Sequence, residues 1–179
     1  MSDSLAHERE HLSHLLEAVQ RCVFFMHASA AKLAWPLRGH DLLARQKDTD
    51  LFEALAAFNE RFAKLQDTLG ATMRHTAMLM SEPTTPFLRV LSLAEKMGWV
   101  QSVEDWQLCR AARNLAAHDY EIDYEAIAAH FNELAELRAV LVHAAAATLT
   151  SAGELLGVRP ASSAFDAEFA SACAAYPPD

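Results

Sequence analysis

Apolar positions recur at three- and four-residue intervals along most of the chain, the period of a helix with one buried face. The first stripe, Leu5, Leu12, Leu16, Val19, Val23 and Met26, predicts a helix from about Ser4 to Ala34, ended by Pro36 and Gly39. The link "RGHDLLARQKD" then reads as a loop. The most regular stripe follows: Leu51, Leu55, Phe58, Phe62, Leu65, Leu69, Met73, Thr76 and Met80. Its alternation of threes and fours is a bundle seam, and Asp48 or Asp50 can cap its start. "SEPTTP" interrupts the pattern. Thr85 is expected to cap a short third helix with Pro86 in its first position, and Gly98 to end it. Ser102 caps a fourth helix running to about Ala117, with Asp105 three residues on in a near capping box. Asp123 caps a fifth, with the stripe Ile127, Phe131, Leu134, Leu137, Leu141, Ala145, Leu149 and Ala152, and Gly157 stops it. No run alternates polar and apolar residues as a half-buried strand does. The expected fold is all-α, an antiparallel up-and-down bundle of about five helices over residues 1–157. Residues 158–179 read as an Ala/Ser/Pro-containing tail, with Phe165, Phe169 and Tyr176 as possible anchors.

Composition adds bounds. A chain of 179 residues, 52% hydrophobic and with 5 glycines, can bury one sizeable core and is not disordered. A formal net charge of −9 argues against a general nucleic-acid coat, which needs a basic surface, and leaves room for a local basic site. There is no basic leader joined to an apolar run and no 18-residue apolar stretch, so the sequence reads as a soluble, cytoplasmic protein with no membrane contact. Cys22, Cys109 and Cys173 are odd in number and far apart; they make neither a disulfide frame nor a zinc knuckle and read as small buried hydrophobes.

Two segments invite chemistry. "HEREH", residues 7–11, matches the H-E-x-x-H zinc-protease helix. It lies in the first turns of the chain, lacks the glycine and third histidine of the extended motif, and has no strand to hold a substrate. On a wheel, His7, His11 and His14 fall roughly 120° from the apolar stripe, a solvated face. No metal is expected there.

The second is "RNLAAHDY", residues 113–120. On the fourth helix Leu108, Cys109, Ala112, Leu115 and Ala116 share the inward side, whereas Gln107, Arg110, Asn114 and His118 lie opposite. Arg113 falls roughly 140° from His118, so the pair flanks a surface and converges only if the helix bends, ends or meets a second copy across a two-fold axis. The helix C-terminus favours the imidazolium of His118, and Asp119 and Glu121 act the same way. Such groups suit metal-free RNA cleavage: a 2′-hydroxyl attacks its own phosphate, a histidine moves the protons, and an arginine holds the developing charge. An ordinary polar outer face contains the same residues.

"RNLAAHDY" resembles the R-x-x-x-x-H signature of the HEPN superfamily, in the R-x-x-x-x-H-x-Y form of HepT-like toxins. "FNERFAKLQDTLG", residues 58–70, is similar to the second-helix pattern of the same group, and the resemblance spans roughly residues 1–157. It implies a helical homodimer whose two motifs line one cleft and act as a metal-independent endoribonuclease, without a cofactor. Arg113 and His118 would be catalytic, with Asn114 and Arg110 supporting. It also implies a partner, an MNT-type nucleotidyltransferase antitoxin that adenylylates the motif tyrosine, here Tyr120, and so silences the toxin. The acidic run "HDYEIDYE" beside the proposed phosphate site departs from what RNA binding wants, and the resemblance does not reach the tail. A different class of function also fits: a non-catalytic, substrate-binding accessory subunit of a nucleotidyltransferase.

Overall fold

A computed structural model describes residues 2–115 and 123–176. It is all-helical, with no strand among the described residues. Seven helices run in order: α1 (Ser2–Ala30), α2 (Gly39–Ala44), α3 (Thr49–Leu79), α4 (Phe87–Lys96), α5 (Val103–Leu115), α6 (Tyr124–Leu156) and α7 (Asp166–Ala174). The long helices α1, α3 and α6 form the body of the bundle. α5 lies between α3 and α6, and α7 against α1 and α6.

The apolar stripes become the core. On α3, Leu51, Leu55, Phe58, Phe62, Leu65, Leu69, Met73 and Thr76 are all buried, and Met80 is half-buried. Three threonines sit in this seam at no polar cost: Thr68, Thr72 and Thr76 each donate to the carbonyl four residues back. From α1, Leu12, Leu16, Val19, Val23 and Met26 are buried, while Leu5, in the first turns of the helix, is exposed. Four expected stripe residues of α6, Leu134, Leu141, Ala145 and Ala152, are buried.

The expected caps hold for three helices. Asp48 accepts from the Leu51 amide, Asp123 from the Glu125 and Ala126 amides, and Ser102 Oγ from the Asp105 amide at 3.0 Å. Gly98 (φ 73°) and Gly157 (φ 61°) supply the left-handed residues that end α4 and α6.

Other boundaries differ. α1 stops at Ala30 rather than Ala34, because the Trp35 indole folds back and donates to the Ala30 carbonyl at 2.9 Å. The expected loop after it contains α2, seated where Gly39 lets the chain approach the start of α6. Pro86, not Thr85, holds the N-cap position of α4, and no side chain caps it. The helix count is therefore seven among the described residues rather than about five.

The segment read as a tail is docked. Ala161 donates to the Ser13 carbonyl, Ser13 Oγ to the Arg159 carbonyl, and Gln20 to Asp166. Phe169 and Ala172 are buried, and the Tyr176 ring lies under the Arg138 guanidinium at 5.4 Å. α6 is long and apolar enough, by length and composition, to cross a membrane; in the bundle it packs against α1, α2, α3, α5 and α7.

Candidate functional site

α5 carries the candidate residues that the structure describes. Its buried face presents Trp106, Cys109 and Ala112 to the core. Leu108, expected inside, is 47% exposed: it sits one residue off the axis of burial, beside Gln107 on the outer face. Gln107, Arg110 and Asn114 are exposed, as their spacing predicts. Arg113 lies between the two faces and turns toward α3. Its Nη1 donates to Asp67 Oδ1 at 2.6 Å and to the Ala63 carbonyl at 3.2 Å. The Arg113 side chain is 19% exposed and that of Asp67 is 65% exposed, so this is a pair at the bundle surface with one half-sheltered partner. His118 and Tyr120 lie outside the described residues, so the structure does not bring them to Arg113 or apart from it.

Arg113 opens onto a groove of about 360 Å³ between α3, α4 and α5. Arg74, Arg110 and Arg113 line it, with Asp67 as the one carboxylate among the described residues and Phe87 and Trp106 as its aromatic wall. Arg74 stands over the Phe87 ring at 5.0 Å, and the Phe87 and Trp106 centroids are 6.3 Å apart. Among the described residues no hydrogen bond or ion pair engages Arg110. Sequence reasoning missed Arg74, Asp67 and Phe87. Each looks like an unremarked helix residue until α3 and α4 pack beside α5.

No family model matches the chain, and neither does any curated protein or solved structure.

A larger recess of about 950 Å³ lies between the end of α1, α2 and the start of α3. Its charges are mixed: Lys32, Arg38, Arg45 and Arg61 line it together with Asp41, Asp50 and Glu53, Arg45 pairs with Asp48, and Arg61 donates to Ser29 Oγ and to the Phe25 carbonyl. The smaller groove, with a surplus of cations, is the better candidate for a ligand. Of the two "HEREH" histidines, His11 makes a ring contact. His7, His11 and His14 are exposed on α1; the His11 ring meets His75 of α3 edge-on at 4.7 Å, and His75 Nε2 lies 2.8 Å from the Glu8 carbonyl oxygen. Among the described residues no group of three or more His, Cys, Asp or Glu side chains is placed to hold a metal ion.

Proposed function

We propose that this chain is a HepT-like toxin, a metal-independent endoribonuclease acting in the cytoplasm as a homodimer. An MNT-type nucleotidyltransferase antitoxin silences it by adenylylating Tyr120. The observation that carries the reading is Arg113. It sits in the last described turn of α5, its guanidinium is oriented by Asp67, and it opens onto a groove shared with Arg110. The exposed Asn114 lies beside it, and the sequence supplies His118 and Tyr120 directly afterwards.

In the proposed reaction the RNA 2′-oxygen forms a bond to the adjacent phosphorus as the P–O5′ bond breaks. His118 side chains accept the 2′-hydroxyl proton and deliver one to the departing 5′-oxygen. Arg113 stabilises the charge gathering on the non-bridging oxygens. A two-fold dimer burying the outer face of α5 would supply both sets of residues.

One observation favours the rival reading, a non-catalytic accessory subunit of a nucleotidyltransferase. Asp67 already occupies one edge of the Arg113 guanidinium, as in a structural ion pair.

Cleavage of single-stranded RNA in EDTA, by protein shown by mass to carry no adduct, decides between them. The unmodified chain should cut. Arg113→Ala and His118→Ala should each lose about 10²-fold or more. Tyr120→Phe should cut normally but resist silencing. Asp67→Ala breaks the same ion pair while keeping the guanidinium, and should retain most activity. An intact substrate with the unmodified, partner-free dimer would leave the accessory-subunit reading in place.

A further inference from the structure

We propose that the groove between α3, α4 and α5 is a binding site for a nucleoside phosphate, with Arg74 and Arg110 as its anion-holding residues. Its charge is the first reason. The chain carries a net −9, yet among the described residues three guanidiniums line this groove against a single carboxylate. A surplus of two positive charges matches a phosphomonoester dianion or two successive phosphodiesters, whereas a lone carboxylate leaves it half-answered. Guanidinium forks also fit phosphate oxygens in pairs.

Availability is the second reason. Asp67 and the Ala63 carbonyl engage Arg113, but among the described residues nothing charged engages Arg74 or Arg110. Arg74 instead stands over the Phe87 ring, its Cζ 5.0 Å from the ring centroid, a cation–π contact that leaves its N–H groups available. Arginine and aromatic side chains side by side are groups on which a nucleobase stacks.

The floor supplies the third. Gly70 leaves the backbone bare there; a Cβ at this position would stand 3.3 Å from Phe87 Cζ and 3.7 Å from Trp106 Cζ2. Gln66, buried at the same floor, donates through Nε2 to the Trp106 carbonyl at 2.9 Å, and its Oε1 is buried without a hydrogen-bond partner. Turning that amide toward the groove offers an acceptor for a ribose hydroxyl or a base amine.

The site requires no cleavage by the chain, so binding is read in EDTA on full-length His118→Ala protein. A dead nuclease and a dead groove are then separate results. The probes are AMP, inorganic phosphate, an oligo(A) octamer and an acidic glutamate peptide, followed by calorimetry and by anisotropy of a labelled octamer. AMP or the octamer should bind, and AMP should displace the octamer. Arg74→Ala and Arg110→Ala should each weaken binding about tenfold with unchanged helical content, and Asp67→Asn should tighten it severalfold. Comparable affinity for AMP and octamer assigns the site to free nucleotide. An octamer bound far more tightly, with a steep loss in salt, assigns it to an RNA strand. The proposal fails if neither nucleotide probe binds, if both arginine variants bind like the parent, or if the glutamate peptide competes as well as AMP.

Discussion

Cys109 is fully buried between α5 and α6, where its thiol makes a long contact of 3.9 Å with the Leu137 carbonyl. Burial above all, and then the nearby Asp105 carboxylate, pushes its pKa from the ordinary 9.0 up to about 12. The unfolded chain therefore gives up this proton near pH 9, while the native chain holds it until about pH 12. Stability from the neutral thiol is complete below pH 9 and is lost as pH rises through that window. Urea titrations at pH 7, 9 and 10.5 should show the stability advantage of the parent over Cys109→Ala shrinking with pH; a constant difference would refute the assignment. The sequence showed that this cysteine is a buried small hydrophobe, because its place on the α5 stripe is local information. It did not show Arg113 meeting Asp67, because those residues are far apart in the chain and no spacing within either helix encodes the contact.

At the scale of elements, caps and stops were legible where one side chain or one left-handed residue does the work. Asp48, Ser102, Asp123, Gly98 and Gly157 are of this kind. The end of α1 and the existence of α2 were not, since both depend on tertiary contacts: the Trp35 indole on the Ala30 carbonyl, and α2 against α6. Gly39 marks that second contact. A Cβ there would lie 2.3 Å from Glu125 Cδ and 2.7 Å from the Glu125 backbone nitrogen; a side chain can swing away from such a clash, but the α6 backbone cannot. Gly39→Ala should therefore cost about 1–3 kcal/mol as a local overpacking. Gly153 is the control. It lies inside α6, where an added Cβ meets nothing closer than the Val158 carbonyl oxygen at 4.0 Å. Gly153→Ala should be neutral or stabilising by up to about 1 kcal/mol, from helix propensity. Equal denaturation midpoints for the two variants would mean that the approach of α2 to α6 is not tight.

For the whole molecule the question is whether residues 158–176 belong to the bundle. Their small residues gave little periodicity to read, and three aromatic side chains were the only sign of an anchor. In the structure Val158 joins Leu12, Leu16 and Ala152 in a satellite cluster, and Phe169 and Ala172 enter the main core. Tyr176 closes the far end: its carbonyl oxygen lies 2.6 Å from His143 Nε2, and its ring meets His27 edge-on. The segment thus contacts α1 from Leu12 to His27 and ties it to α6. Phe169→Ala isolates this coupling without shortening the chain. A phenyl ring lost from a core site costs about 3–5 kcal/mol, and this one, at the core margin with 9% exposure, should cost about 2–4 kcal/mol. Were the segment an appendage, the same change would cost under about 0.5 kcal/mol, as at an ordinary surface position. Amide exchange separates the two cases residue by residue: in Phe169→Ala, protection should fall along the α1 face that the segment covers, around Ser13 to Phe24, as well as in α7. Loss of protection confined to α7, with the global midpoint unmoved, would detach the segment from the bundle's stability and leave α1, α3 and α6 as the cooperative unit.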